Sequence, residues 1–206
     1  MQNWLEKALA DGNPAARGMR SDYDLNLDAK KLDLLGVAVR DAAVLVPIVD
    51  HKTGPTVLLT KRTDHLSKHP GQVSFPGGKV DPVDADAVAA ALRETHEEIG
   101  LDASYIQVAG RLDGYRTGTG FEIVPVVGLV TPGFSLQLQK NEVAASFEVP
   151  LAFFLDRDNH TKESAFWQGA TRHYYVMPYG PWKIWGATAA MLVNLCDVLE
   201  AVREEC

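Results

Sequence analysis

The sequence predicts an α/β fold in which one mixed β-sheet carries helices on both faces. Apolar runs rich in β-branched residues, typical of strands, alternate along the chain with longer segments that show the 3.6-residue period of helices. Glycine and proline turns separate these segments. The chain has 206 residues, 46% of them hydrophobic and 23% charged, so it fits one domain of ordinary size with its own core.

The N-terminal part divides into a polar lead-in and the start of the sheet. Residues 1–35 are polar and mixed. We expect an N-terminal extension there, with one short amphipathic helix near Trp4, that covers the sheet or joins a dimer contact. The remaining residues, 36–206, are expected to form the domain. Residues 36–49 predict one long or broken strand and residues 56–62 a second, and the Gly-Pro turn between them indicates a hairpin.

Later elements follow from the same patterns. In chain order they are a loop over 63–76, a helix from about 84 to 99, strands over 105–116 and 121–131, a strand or short helix over 140–150, a hairpin over 164–178 and a helix over 183–203. Asp84 or Asp86 is expected to cap the first of these helices. Its weakly apolar stripe is expected to face the core, with the glutamates on a different face; the stripe consists of Val88, Leu92, Thr95 and Ile99.

Composition narrows the class of protein. The net charge of −7 argues against general nucleic-acid binding. No apolar run reaches the roughly 18 residues of a membrane span, and the start of the chain lacks the pattern of a secretory signal. Two cysteines, Cys196 and Cys206, do not indicate a disulfide framework. We therefore expect a cytoplasmic protein without a nucleic-acid or membrane partner.

The charges are unevenly spread. Residues 61–79 contain four Lys or Arg and one Asp, whereas residues 81–98 contain six Asp or Glu and one Arg. A basic segment that runs into an acidic one suits an anionic substrate bridged by a cation, although chance clustering is the alternative.

The most informative stretch is the acidic segment that ends at Gly100. Glu94, Glu97 and Glu98 stand at i, i+3 and i+4 and therefore share one face of a helix. Three carboxylates together repel one another and need a compensating cation. Oxygen-only ligands favour Mg²⁺ or Mn²⁺, which also binds a substrate phosphate. A solvated acidic helix face is the alternative, but Gly100 ends the helix directly after the acids and a glycine pair precedes it.

The stretch from residue 78 to residue 101 resembles the Nudix box, which is carried on a loop–helix–loop. Six of the defining residues occur in order: Gly78, Arg93, Glu94, Glu97, Glu98 and Gly100. The first acid is Asp84 rather than Glu and lies one residue further than usual from the arginine, and Thr95 stands where a larger apolar residue is usual. The resemblance implies a Nudix-type α/β/α sandwich with a mixed β-sheet.

The resemblance also implies roles at a Mg²⁺ or Mn²⁺ site. Glu97 and Glu98 are expected to be direct metal ligands, and Glu94 a third ligand or the base that orients the attacking water. Gly78 offers a backbone carbonyl to the metal, and with Gly77 it leaves room for the phosphates. Arg93 holds a glutamate in place.

One further acid is expected at the site. Nudix proteins often place an acid on a loop shortly before a Pro-Leu segment, and Glu142 precedes Pro150-Leu151 here. Glu142 is therefore a candidate metal ligand or base, with an ordinary exposed glutamate as the alternative. Glu148 is the weaker candidate.

Residues 58–78 are similar to the segment before the box in coenzyme A pyrophosphatases of the Nudix superfamily, and the likeness spans roughly residues 36–195. It implies hydrolysis of the diphosphate of coenzyme A or its thioesters to 3′,5′-ADP and 4′-phosphopantetheine or its acylated form. The expected substrate contacts are Arg62, Lys68, His69, Phe75 and Gly77. The alternative for the three charged or polar side chains is a plain surface position, and for Phe75 core packing is favoured.

Two rival functions stay open. The subgroup commonly has Arg where this chain has Ser67, which leaves room for another nucleoside diphosphate derivative such as ADP-ribose or a dinucleotide. A non-catalytic Nudix-fold binding module is the rival from another class, but such modules usually lose acids of the box, and here all three glutamates are present. Acyl-chain preference and a homodimer are left open.

Overall fold

The computed structural model describes residues 1–10, 18–26, 38–66, 69–167 and 169–203. Within these ranges the helices are α1 (Gln2–Ala8), α2 (Ala87–Ile99), α3 (Leu151–Leu155) and α4 (Gly186–Arg203). The strands are β1 (Met19–Ser21), β2 (Arg40–Val49), β3 (Thr56–Arg62), β4 (Val73–Ser74), β5 (Gly77–Lys79), β6 (Ile106–Arg111), β7 (Gly114–Arg116), β8 (Phe121–Val130), β9 (Val143–Pro150), β10 (Thr161–Trp167), β11 (Ala170–Tyr179) and β12 (Trp182–Trp185). No helix in the described ranges is long and apolar enough to span a membrane.

The main sheet is mixed, as the sequence predicts. Its central order is β1-β7-β8-β2-β3-β4, with β5 paired to β2, β6 to β8 and β9 to β3. β2 and β8 run parallel over ten residue pairs, from Arg40 opposite Phe121 to Val49 opposite Val130, and β1 runs parallel to β7. The strands β10, β11 and β12 form a separate antiparallel sheet.

Helices cover both faces of the main sheet. Consecutive side chains of a strand point to opposite faces, so Leu58 joins the core cluster under α2 and Leu59 the cluster under α4. Both leucines are at most 1% exposed. This is the predicted α/β/α arrangement, and among the α-helices that the structure describes it is α2, with its acids, that packs on this face of the sheet.

Part of the N-terminal extension belongs to the core. Leu5 and Ala8 of α1 are fully buried in the cluster under α4, which confirms the short amphipathic helix near Trp4. Arg20 of β1 is 7% exposed and donates to Asp113 at 2.9 Å and to Asp197 of α4 at 2.8 Å. The boundary between residues 35 and 36 lies outside the described residues and stays a prediction.

Most predicted elements are confirmed. The hairpin of β2 and β3 forms, the stretch over 140–150 is the strand β9, and the hairpin over 164–178 is β10 with β11. The strand predicted over 105–116 is divided into β6 and β7 at Leu112 and Asp113. The helix predicted from residue 183 begins three residues later, because Ile184 and its neighbours pair with β11 as the strand β12.

Candidate active site

Helix α2 has well-defined ends. The carboxylate of Asp86 accepts a hydrogen bond from the Ala89 N–H at 2.9 Å, so Asp86 rather than Asp84 is the N-cap. At the other end Gly100 adopts φ 68° and its N–H binds the His96 carbonyl, a left-handed C-terminal geometry that glycine favours. The acidic residues therefore lie within the last two turns of a helix whose start and stop are both fixed by the sequence.

The buried face of α2 differs from the predicted stripe. Thr95 and Ile99 are fully buried, but Val88 and Leu92 are only partly buried, and Ala90 and Ala91 take the inner positions instead. The small alanines allow the helix to lie close to the sheet. The Thr95 hydroxyl donates a hydrogen bond to the carbonyl of Ala91 at 2.6 Å. The one polar atom of this buried side chain therefore has a partner, which explains why threonine is tolerated at this position of the box.

Glu98 is buried, contrary to the expectation that the three glutamates share a face apart from the core. It is 4% exposed. One carboxylate oxygen accepts a hydrogen bond from the Gly77 N–H at 3.1 Å, and the other lies 3.6 Å from a guanidinium nitrogen of Arg62. Burial raises the pKa of Glu98 to about 7, and the charges of Glu142 and Glu94 act in the same direction.

Arg93 links the acids of the helix to the loop before it. Its guanidinium donates to Glu94 at 3.0 Å and to Glu97 at 3.1 Å, and it makes two 2.9 Å hydrogen bonds to Asp84. The Asp84 side chain is 4% exposed, and the hydrogen bonds from Arg93 lower its pKa. The carboxylate of Asp84 therefore still reaches Arg93, although the box has Asp instead of Glu here and one extra residue before the arginine. Arg93 also contacts Glu94 and Glu97, which is the geometry expected of a residue that holds a glutamate in place.

The glycine pair lets strand β5 approach the acids closely. A Cβ added to Gly78 would lie 2.5 Å from the carboxyl carbon of Glu94. Gly77 has φ 150°, and a Cβ there would lie 2.4 Å from the carbonyl oxygen of Ala43 on β2. Both positions thus require glycine, for space at Gly78 and for space and conformation at Gly77.

Glu142 joins this cluster and Glu148 does not. Glu142 is exposed just before β9, and its charge raises the pKa of both Glu94 and Glu98, so its carboxylate lies close enough to influence both acids. Glu148 lies six residues further along the chain, roughly 20 Å away along the strand, where it binds His51 at 2.6 Å and also Thr56.

The expected substrate contacts fall into three groups. Arg62 and Gly77 lie directly beside Glu98. His69 is exposed, has φ 54° and lies 3.0 Å from the side-chain oxygen of Gln72, so it belongs to the loop between β3 and β4. Phe75 is 2% exposed in the core, so packing accounts for this side chain and substrate contact does not. Lys68 lies outside the described residues.

The donor set fits a hard divalent cation. Burial raises the pKa of Glu94, and the nearby charges of Glu97 and Glu142 raise it further against the lowering by Arg93. Carboxylates that disfavour one another's ionisation are stabilised by a cation, and oxygen donors suit Mg²⁺ or Mn²⁺. In the described part of the chain, no three Asp, Glu, His or Cys side chains are already gathered as a ligand set. Arg93 holds two of these carboxylates, so metal binding requires them to reorient.

The site coincides with a known family pattern. The NUDIX domain model matches residues 39–167. The chain belongs to the Nudix hydrolase family. It is 41% identical over 156 residues to the Nudix hydrolase NudL of Escherichia coli (strain K12), covering 76% of this chain and 81% of that protein. NudL of Enterobacter sp. (strain 638) is 40% identical over 156 residues, with the same coverage of both chains.

Solved structures share the fold. The MutT protein from Methanosarcina mazei Go1 superposes with a TM-score of 0.50 at 19% identity, covering 83% of this chain and 97% of that one. DR0079 from Deinococcus radiodurans also gives 0.50, at 12% identity, covering 79% and 87%. The predictions of a Nudix fold and of a hydrolase are thus confirmed. Enzymes of this family act on nucleoside diphosphate derivatives and generally use divalent cations.

Two features of the site were not predicted from the sequence. The burial of Glu98 depends on the loop at Gly77 and on β3, both distant in sequence. Lys61, next to Arg62, lines a separate cavity with Trp182 and Trp185. Because successive side chains of a strand point to opposite faces, the sequence of β3 already indicates that Lys61 and Arg62 lie on different faces of the sheet.

Proposed function

We propose that this Nudix hydrolase cleaves the diphosphate of coenzyme A and its thioesters, releasing 3′,5′-ADP and 4′-phosphopantetheine or its acylated form. The observation that carries the proposal is the environment of Arg62. Its guanidinium lies 3.6 Å from Glu98, and its buried Nε has no hydrogen-bond acceptor in the described part of the chain. A buried donor without an acceptor is costly, and a substrate phosphate beside the acids would satisfy it.

The substrate class rests on the segment that carries Arg62. Residues 58–78 resemble the corresponding segment of coenzyme A pyrophosphatases, and this basic segment leads directly into Gly77 and Gly78 at the start of β5. Coenzyme A carries a 3′-phosphate in addition to its diphosphate, so it presents more negative charge than ADP-ribose or NADH. Additional cations before the box therefore favour coenzyme A among these substrates.

The acids supply the reaction chemistry. Glu94, Glu97 and Glu98, with the Gly78 carbonyl, would hold Mg²⁺ or Mn²⁺. Such an ion neutralises the diphosphate and lowers the pKa of a bound water. Arg93 holds Glu94 and Glu97 next to each other until they reorient to bind the ion, and the Gly77 N–H orients Glu98. Glu94 and Glu142 are the two candidates for the base that takes a proton from the attacking water.

The test is a substrate panel. The purified protein is incubated with coenzyme A, ADP-ribose and NADH in Mg²⁺ or Mn²⁺, and the products are separated by chromatography. Glu97→Gln is compared with Glu122→Gln, which changes a half-buried glutamate of β8 that pairs with Arg116 on β7. We expect 3′,5′-ADP from coenzyme A, formed faster than any product of the other two, with loss in Glu97→Gln and retention in Glu122→Gln.

Other outcomes discriminate between the rivals. Cleavage of ADP-ribose or NADH with coenzyme A left intact would refute the substrate and keep the metal site. Absence of any cleavage with either ion, together with ligand binding that Glu97→Gln leaves unchanged, would favour the non-catalytic module.

A further inference from the structure

A cavity lies on the other side of β3 from the acids. It has a volume of about 480 Å³, within the roughly 300–1,000 Å³ of small-molecule sites. One wall is the loop segment 70–73 and the other is the turn and strand over 181–185. Two indoles and two ammonium groups line it: Trp182, Trp185, Lys61 and Lys183. None of these four residues has a role in the site described above.

The cavity is close to that site along the chain. Lys61 and Arg62 are consecutive in β3, so their Cα atoms are about 3.8 Å apart and their side chains point to opposite faces. Arg62 faces Glu98, whereas Lys61 faces the cavity. Val73 lines the cavity and Gly77 binds Glu98, and only three residues lie between them, so they are at most about 14 Å apart.

The aromatic walls are held in position. Trp182 stacks on Phe147 with ring centroids 4.2 Å apart and planes 8° apart, and Trp185 packs against Tyr174 with centroids at 5.3 Å. Aromatic side chains that are already fixed lose little conformational entropy when a ligand binds. Indole faces bind purine bases by stacking, a contact that contributes about 1–3 kcal/mol per base in nucleic-acid complexes.

The two lysines are available to an anion. Lys61 lies 3.2 Å from Asp64, whose side chain is 79% exposed, and Lys183 lies 2.7 Å from Glu163, which is 46% exposed. Exposed ion pairs of this kind contribute only about 0–1 kcal/mol. A phosphate group carries more charge than a carboxylate and accepts several charge-assisted hydrogen bonds, so it can replace these partners.

We propose that this cavity is the subsite for a purine nucleoside 3′-phosphate, with the phosphate on Lys61 and Lys183 and the base against the indoles. The inference rests on the proposed function, because coenzyme A supplies this group at one end of its diphosphate. The opposite arm of coenzyme A, pantetheine, is uncharged and gains nothing from two ammonium groups. The cavity would therefore distinguish coenzyme A from substrates that lack the 3′-phosphate.

The first test measures binding without turnover. In EDTA, calorimetry compares 3′,5′-ADP with 5′-AMP on the wild type, on Lys61→Gln and Lys183→Gln, and on Lys52→Gln, which changes an exposed lysine of the turn before β3. We expect 3′,5′-ADP to bind at least about tenfold tighter than 5′-AMP, and each cavity variant to reduce that preference about tenfold, since each removes one of the two charge-assisted contacts to the 3′-phosphate. Lys52→Gln should keep it.

The subsite would be overturned if the two nucleotides bind equally well, or if all three lysine variants lose the preference for 3′,5′-ADP to the same extent. A second measurement separates this failure from that of the proposed function: the ratio of kcat/KM for coenzyme A to that for dephospho-coenzyme A. If coenzyme A is cleaved and the cavity variants leave the ratio unchanged, the subsite is wrong and the function stands. If coenzyme A is not cleaved but the nucleotide preference depends on both lysines, the subsite stands and the function is wrong.

Discussion

Replacing Glu98 by glutamine should stabilise the metal-free protein at alkaline pH and abolish its stabilisation by metal. The amide has nearly the same shape and keeps an oxygen for the Gly77 N–H, which Glu98 binds at 3.1 Å. What it removes is a charge at a position that is 4% exposed. The change therefore isolates the cost of holding an ionised carboxylate in this place.

The magnitude follows from the raised pKa. Burial raises the pKa of Glu98 from 4.5 to about 7, so between these values the folded state holds a proton that the unfolded state has released. Stability is therefore lost as pH rises through this window and stays low above it. At about 1.4 kcal/mol per pKa unit, the wild type should lose roughly 2–3 kcal/mol relative to Glu98→Gln between pH 5 and pH 8.

The assay is urea unfolding of both proteins in EDTA at these two pH values. Groups that titrate in both proteins cancel in the difference between them. Glu97→Gln is the matched control, because the Glu97 side chain is 57% exposed and its replacement should change stability by less than about 1 kcal/mol at either pH. Added Mg²⁺ at about 100 times its Kd should stabilise the wild type at pH 8 by about 2.7 kcal/mol and leave Glu98→Gln unchanged.

Two results would refute this reasoning. If the stability difference between wild type and Glu98→Gln is the same at pH 5 and pH 8, the carboxylate does not carry the expected proton. If Mg²⁺ stabilises Glu98→Gln as much as the wild type, Glu98 is not a ligand.

Three further predictions concern other parts of the molecule. Gly78→Ala places a Cβ against the carboxyl group of Glu94 and should lower kcat/KM at least about 100-fold with the circular dichroism spectrum retained; unchanged kinetics would contradict the close approach. Arg20→Ala removes the buried guanidinium that Asp113 and Asp197 share, while Asp197 keeps its second partner Arg157, and should lower the free energy of unfolding by about 3–5 kcal/mol, measured in urea; a loss under 1 kcal/mol would show that the pairs contribute little. Burial raises the pKa of Cys196 to about 12, so in a Cys206→Ser background a thiol reagent at pH 8 should label the protein only after denaturation; labelling of the native protein would contradict that burial.

Local spacing was sufficient to predict the helix and its acids. Positions i, i+3 and i+4 fix which face the glutamates share, and Gly100 marks the end of the helix, so both follow from neighbouring residues. The burial of Glu98 was not predictable, because it depends on Gly77 and Arg62, which reach it only in the folded sheet.

The C-terminal region shows the same limit. Ile184 fits the apolar period of α4, and the sequence therefore placed it in that helix. In the structure it lies opposite Met177 on β11, and strand pairing overrides the helical pattern for Trp182–Trp185. The cavity beside these tryptophans follows from that pairing, so periodicity alone did not reveal it.

The most direct test of the proposed reaction is hydrolysis of coenzyme A in heavy-oxygen water, with the products weighed by mass spectrometry. Attack of water on the diphosphate predicts 3′,5′-ADP and 4′-phosphopantetheine, with one solvent oxygen incorporated into the phosphate of one of them and no reaction in EDTA. Intact coenzyme A after prolonged incubation with Mg²⁺ and with Mn²⁺, or products that carry no solvent oxygen, would contradict it.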